Sequence, residues 1–424
     1  MKKFKNLAIN LGLTLGTLIF TLTVGEIGLR IAGIEHPAPR MGADQNPLHT
    51  FKDMYRGWAG KPNGKALWKE EGVPSEIKMN SAGFRDRQRS KNKPENGLRI
   101  ALLGDSYTEA LQVKLEDTYG AIMEENLQQC PVLKNRKVEV MNFGVSGYST
   151  AQELMTLRHH VWDYQPDLVI LAFYPGNDLS NNSRDLEHDH LRPYFVYENG
   201  QLVADMSFRN LKFWQRNRYA FSVVDFLPYW LIKNSRIIQL IRKVDIDAKL
   251  RQYNKDYNAI NIDFFKEPKP NSDWEEAWDV TEGLIKLMRD EVYEKKADFM
   301  LITVSHSSQV LPDLQQRNKL KKSLNVPNLF YPDIRLKNFG KEENIPVYNL
   351  AGPIWNEAKK TGKCFHGFDN ALPCGGHWNV EGHKFVGEIM SNYLCQRYRS
   401  QKSELRSQES VLRSQSSEFY IQSG

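Results

Sequence analysis

Short apolar runs alternate along the middle of this chain with longer stretches whose apolar positions recur every three to four residues. Leu98 to Leu103, Val138 to Phe143, Leu168 to Tyr174, Asp298 to Ser305 and Pro346 to Leu350 are rich in aliphatic and β-branched residues, with Gly, Pro or polar residues at their ends. Runs of this length and composition predict strands buried on both faces. Between them, Tyr119 to Gln128, Thr150 to Tyr164, Glu275 to Lys295 and about Asp333 to Lys341 have helical spacing, and Val380 to Tyr398 closes the series. Strands alternating with helices in this way predict an α/β fold with a parallel, doubly wound sheet.

The rhythm breaks between Asp178 and about Trp274. Arg192 to Val203 carries Asn199-Gly200 between β-rich runs, which predicts a hairpin with a type I′ turn. Phe213 to Lys243 is aromatic and basic. It has the character of an amphipathic helix that could rest on a membrane, roof a cleft, or simply pack against the core. Tyr253 to Asp273 reads as polar loop. His36 to Asn96 is polar, with little periodicity, and reads as a stalk leading to the domain edge, with an ordered turn at Met79 to Asp86. At the other end, Tyr398 to Glu418 divides into three heptads with too few apolar positions for a coiled-coil seam. This tail reads as low-complexity and solvated.

The N-terminus adds a membrane element. Met1 to Lys5 is basic, and Asn6 to Gly25 carries no charge, which is enough for the roughly 20 residues of a spanning helix. No small-x-small cleavage pattern follows Gly25, so a retained signal anchor is expected rather than a cleaved leader. Lysines ahead of the span place the N-terminus in the cytoplasm and the rest of the chain outside it. The expected organisation is a transmembrane anchor over residues 1–33, the stalk and domain edge over 34–97, the α/β domain over 98–397 with an insertion at about 184–274, and the tail over 398–424.

Composition narrows the chemistry. With 424 residues, 41% hydrophobic and 25% charged, the chain can bury a large core as one domain with insertions or as two domains. Its net charge is only +6, and no Lys/Arg block with interleaved aromatics suggests a nucleic-acid partner. Cys130, Cys364, Cys374 and Cys395 suit an oxidising compartment and lack the paired C-x-x-C of a zinc site. The first pairing to test is Cys364 with Cys374, close in sequence, and Cys130 with Cys395, each closing a predicted helix. His306 and the pair His188 and His190 have no H-E-x-x-H spacing. No metal or other cofactor is expected.

Three strand ends terminate in small or polar residues: Gly104-Asp105-Ser106, Gly144-Val145-Ser146-Gly147 and Gly176-Asn177-Asp178. A parallel sheet sets such ends on one edge, where open α/β sheets bind ligands. Alone, Gly104-Asp105-Ser106 would be a tight turn with Ser106 capping a helix. A nucleophilic serine also needs a base and donors for the developing oxyanion. Ser106 offers a hydroxyl and its backbone N–H, Gly147 an unobstructed N–H, and Asn177 a side-chain amide. His377, in the loop before the last helix, is the candidate base; His383, inside that helix, reads as structural.

These blocks, in this order, resemble the GDSL/SGNH hydrolase superfamily over Leu98 to about Cys395, apart from the insertion. The resemblance implies a flavodoxin-like three-layer α/β/α sandwich around a central parallel sheet. It also implies Ser106 as nucleophile, Ser106, Gly147 and Asn177 as oxyanion hole, and His377 as general base. The N-terminal span and Asn80-Ser81-Ala82-Gly83-Phe84-Arg85-Asp86 look like a bacterial, membrane-anchored branch. One position departs. The family usually has an aspartate three residues before the histidine, and here that residue is Cys374. Asp369, reaching back through a Cys364–Cys374 bridge, or a backbone carbonyl would then orient the ring. The implied activity is extracytoplasmic hydrolysis of acyl or acetyl esters of a lipid or glycan through a Ser106 acyl-enzyme. An O-acyltransferase using the same intermediate, and a non-catalytic binding protein on this fold, are the alternatives.

Overall fold

The computed structural model describes residues 2–36, 47–187, 189–211 and 222–421. Part of the stalk (37–46), His188, part of the aromatic stretch (213–221) and the tail's last residues (422–424) lie outside the described residues. The chain divides into two compact units, Met1–Asn46 with Asn210–Ile260, and Pro47–Arg209 with Asn261–Gly424.

The larger unit is built on five strands: β1 (Gly97–Gly104), β2 (Lys137–Asn142), β3 (Leu168–Phe173), β4 (Asp298–Thr303) and β5 (Val347–Asn349). They lie in the order β5-β4-β3-β1-β2, and every neighbouring pair is parallel. Alternation along the strands explains the layers. Ala101, Leu103, Met141, Val169, Leu171 and Phe299 bury one face against the helices Thr150–His159 and Asp273–Glu294. Leu98, Ile100, Leu102, Val140, Ile170 and Met300 bury the other against Tyr119–Gln128, Ala351–Thr361 and the closing helix. The result is a three-layer α/β/α sandwich in the flavodoxin-like strand order. Its switch point lies between β1 and β3, where the chain reverses direction across the sheet and where ligands bind in such folds.

Most predicted elements appear within a few residues. The hairpin pairs Tyr194–Glu198 with Gln201–Asp205, and Asn199 and Gly200 both have positive φ, as a type I′ turn requires. Thr150 to Tyr164 is shorter than expected as an α-helix; it ends at His159 and continues as a 3-10 turn over Val161–Tyr164. Leu314–Leu324 and Ala351–Thr361 are helices that the periodicity did not single out. The start of the stretch expected as polar loop, Tyr253 to Asn261, belongs to the helix Arg236–Asn261. The closing helix runs from Val380 to Ile421, through the heptads. Gly and Pro are absent from those repeats, so nothing in them breaks a helix.

The stalk reading changes most. Pro47 onward belongs to the same unit as the sheet. It forms two small antiparallel pairs, His49–Asp53 with Gly57–Gly60 and Lys65–Trp68 with Ser75–Lys78. Leu48, Ile77 and Met79 bury a small cluster there with Leu111. In the smaller unit, the helix Lys2–Ile31 contains a stretch, Ile9–Ile31, long and apolar enough to cross a membrane, none of it buried.

Both expected disulfides are present. Cys130–Cys395 ties the chain just after Tyr119–Gln128 to the closing helix, and Cys364–Cys374 closes the loop ahead of His377. Replacing Cys130 and Cys395 together with serine is expected to destabilise the larger unit by about 2–5 kcal/mol, the usual cost of losing a native bridge. Chemical denaturation of the double variant checks it; an unchanged midpoint would show that the bridge adds nothing.

Candidate active site

Ser106 follows β1 and opens the short helix Ser106–Glu109, with the Asp105 side chain capping its start through the Tyr107 amide. Its Oγ lies 2.8 Å from His377 Nε2. On the other side of the ring, His377 Nδ1 lies 2.6 Å from Glu71 Oε2, and the His377 amide donates to Glu71 Oε1 at 3.1 Å. Burial works against the Glu71 charge, but the hydrogen bonds from the His377 ring and amide and from Gln112 hold its carboxyl below the ordinary range. Glu71 is therefore an ionised acceptor at neutral pH. Nδ1 carries the proton, and the Nε2 lone pair is left to accept the Ser106 hydroxyl.

Sequence reasoning missed Glu71. Asp369 is exposed, and the Nδ1 position it was expected to fill is taken by Glu71. What Asp369's neighbour does is tie the two loops together. The Asn370 amide accepts from the Gly72 N–H (3.1 Å) and donates to the Gly72 carbonyl (3.0 Å). Trp68 Nε1 holds the Glu71 carbonyl at 2.6 Å. Gly376 has φ +65°, and a Cβ there would sit 2.3 Å from Glu71 Oε1, so only glycine lets the carboxylate reach the ring. The sole pointer in the sequence was a carboxylate next to a glycine, Glu71-Gly72, in a segment with no motif.

The carbonyls around His377 are also fixed. The His377 carbonyl accepts from the Gly367 amide at 2.9 Å. Trp378 Nε1 donates to Ser305 Oγ, so the Ser305 proton goes to His366 Nε2, and His366 Nδ1–H donates to the Gly376 carbonyl. Burial lowers the His366 pKa to about 3, which keeps that ring neutral. His383 is buried inside the closing helix with Nδ1 facing the Tyr119 amide at 3.4 Å, a structural position.

Gly147 lies in the loop after β2, with φ +76°. Its neighbours are pinned on all sides. Glu109, at the end of the Ser106 helix, accepts from both the amide and the hydroxyl of Ser146, and its other oxygen pairs with His49 Nε2 at 2.8 Å. Trp58 Nε1 takes the Ser146 carbonyl at 3.1 Å, and Arg192 the Gly147 carbonyl at 3.3 Å. Among the described residues, no acceptor takes the N–H of Ser106 or of Gly147. Asn177, buried at the start of Asp178–Asn182 after β3, borders Asp105. The Asn80-to-Asp86 motif braces the same helix from behind: the buried Arg85 guanidinium donates to the carbonyls of Glu109, Ala110 and Val113.

Three buried carboxyls lie behind this edge. Burial pushes Asp105 up to about 6, against the pull of the Tyr107 amide, His377 and Asn177. Burial and the Asp105 charge raise Glu153 far above the carboxylate range; burial, Glu153 and Asp105 do the same for Asp178. Neither Glu153 oxygen has a hydrogen-bond partner among the described residues. Among the described residues, no group of three or more His, Cys, Asp or Glu is arranged to hold a metal ion.

Two outcomes follow from this geometry. Glu71→Gln is expected to keep the fold and lower kcat by about 10²–10⁴-fold, the range for losing an orienting carboxylate, while Asp369→Asn keeps wild-type rates; steady-state ester hydrolysis distinguishes them. Glu153 holds its proton in the folded state at pH values where the unfolded chain has released it, so its contribution to stability falls as pH rises. Glu153→Gln is thus expected to raise the melting temperature more at pH 8 than at pH 5, and an equal shift at both would contradict this.

No protein-family model and no curated protein matches the chain. Among solved structures it is similar to the acetyl xylan esterase AlAXEase, at 13% identity over 70% of this chain and 99% of that one, with a TM-score of 0.35. A catalytic mutant of Axe2, an acetylxylan esterase from Geobacillus stearothermophilus, matches at 13% identity over 70% and 94%, with a TM-score of 0.35. The lipase Lip_vut3 from a goat rumen metagenome matches at 13% over 70% and 97%, again with a TM-score of 0.35. By its own strand order and layers, the chain has the α/β/α fold that its resemblance to the GDSL/SGNH hydrolases implied.

Proposed function

We propose that this protein is a membrane-anchored serine esterase of the GDSL/SGNH type that removes acyl or acetyl groups from a glycan or lipid outside the cytoplasm. The observation that carries this reading is the unbroken line from Ser106 Oγ through the His377 ring to Glu71, at 2.8 and 2.6 Å. In the reaction, Ser106 Oγ attacks the ester carbonyl while its proton passes to His377 Nε2, and Glu71 stabilises the imidazolium that forms. The carbonyl oxygen gains charge facing the free N–H groups of Ser106 and Gly147 and the Asn177 amide. The imidazolium then protonates the departing alcohol. Water, deprotonated by His377, then attacks the acyl carbonyl; the bond to Ser106 Oγ breaks, the imidazolium returns its proton to Oγ, and the acid leaves.

A complete set of hydroxyl, base, carboxylate and free amides speaks against a binding protein on a decayed site. Two aromatic residues at the ends of β3 and β4 favour a glycan as the acyl carrier. The Tyr174 and His306 rings are parallel within 3°, both half-buried, and Tyr174 adjoins Tyr107 beside His377. Burial lowers His306 to about 4, and its Nδ1 accepts from the Ser308 amide, so a neutral ring keeps Nε2–H as a donor. Flat rings with neutral donors suit a sugar face. Extracytoplasmic placement agrees with the lysines ahead of the apolar helix and with two disulfides.

A fluorophosphonate probe tests the reading on the full-length protein in detergent. Covalent labelling of the wild type, abolished in Ser106→Ala, is the expected result, with p-nitrophenyl acetate hydrolysis lost in parallel. An unlabelled wild type would overturn the enzymatic reading, and labelling that survives Ser106→Ala would overturn the nucleophile.

A further inference from the structure

The smaller unit holds an aromatic patch that ester chemistry leaves unused. We propose that the segment from Val223 to Trp230 is a second membrane contact, entering the lipid interface beside the anchor; this rests on Lys2–Ile31 being a membrane-retained helix. Val223, Phe226 and Trp230 are 66%, 87% and 64% exposed. A soluble surface tolerates single apolar side chains, but three within eight residues form a patch that calls for an apolar partner.

The anchor itself sets the height of this patch. Glu26 accepts from Ser235 Oγ and from the amides of Arg236 and Ile237 at 3.0 to 3.2 Å, so a side chain of the apolar helix caps the start of Arg236–Asn261. Arg30 pairs with Glu26 and donates to the carbonyl of Asn234, the last residue of the short helix Tyr229–Asn234. Glu35 pairs with Arg236, and the His36 amide donates to Gln239. Ser235 to Ile237 therefore sit level with Glu26, immediately after the uncharged run ends at Gly25.

Trp230 lies inside the short helix that ends at Asn234, five residues before Ser235, or about 7.5 Å of axial rise. That distance is comparable to the interfacial layer flanking the ~30 Å hydrocarbon core. Tryptophan favours this layer because its ring is apolar and its N–H is polar. Between the anchor and this segment runs an open groove of about 500 Å³, lined by Leu22, Ile27, Trp230, Leu231 and Ile238, with Glu26 and Arg30 also on its wall. One wall of the groove is the spanning helix itself, so the occupant that fits is the lipid of the surrounding leaflet. Glu26 and Arg30 neutralise each other, and neither presents an unpaired charge there.

The described residues contain no free cysteine, so one introduced thiol can be labelled with the disulfides intact. Full-length Phe226→Cys, carrying an NBD fluorophore, is reconstituted into phosphatidylcholine/phosphatidylglycerol vesicles, with Glu198→Cys as a water-facing reference and Val24→Cys as a bilayer reference. The expected result is co-flotation of all three, with the label at 226 blue-shifted and quenched by shallow spin-labelled lipid, as at 24 and unlike at 198. Co-flotation with the label at 226 as solvated as at 198 would overturn the second contact alone. Failure to float would overturn the anchor and this contact together.

Discussion

The hydrogen bond between Glu71 and His377 joins two segments 306 residues apart, and most of the site's local architecture exists to permit it. Glu71 is partly buried, where a carboxylate without a partner is costly. Its neighbours supply the geometry: Trp68 fixes its carbonyl, Asn370 locks the following Gly72, and Gly376 leaves space where any side chain would collide. The Cys364–Cys374 bridge closes the loop that carries Asn370. An imidazole without this carboxylate would have nothing to fix which nitrogen carries its proton. With it, Nε2 faces Ser106 as an acceptor.

The parallel sheet supplies the second constraint. Because β1 and β3 are neighbours across the switch point, Ser106 and Asn177 emerge side by side, and β2 brings Gly147 to the opposite flank of β1. Glu109 then links the Ser106 helix and the Gly147 loop mechanically, since it ends the helix that Ser106 begins and holds both donors of Ser146. Burial keeps His366 and His383 neutral, both with pKa values lowered to about 3. Positive charge therefore does not accumulate around His377, and the carboxylate of Glu71 is left to act on one ring.

What the sequence revealed and what it hid follow from the range of the interactions. Ser106, Gly147, Asn177 and His377 stood out because each sits where a regular element ends, and such ends are marked locally by Gly and polar residues. The two-faced strands were legible for the same reason: every position from Leu98 to Leu103 is buried. Glu71 was not legible. Its role depends on a contact with a loop near the far end of the chain, and its own surroundings look like a stalk because short strands with alternating exposure, such as Lys65–Trp68, have weak apolar patterns. Cys374 suggested a missing acid; instead the acid comes from the other end of the domain, and Cys374, with φ +58°, serves the loop's shape. In the smaller unit the amphipathic character of the aromatic stretch was visible, but its position along the apolar helix Lys2–Ile31 is fixed by Glu26 and Arg30, which no local pattern announces.

A crystal structure of the full-length protein after reaction with an organophosphonate is the decisive measurement for the Ser106–His377–Glu71 line, since the adduct freezes a tetrahedral centre on the reacting side chain. Phosphorus is expected on Ser106 Oγ, with its oxygen within hydrogen-bond distance of the Ser106 and Gly147 amides and His377 Nδ1 still on Glu71. An adduct on another residue, or a His377 ring turned from Glu71 to Asp369 or to a backbone carbonyl, would contradict that arrangement.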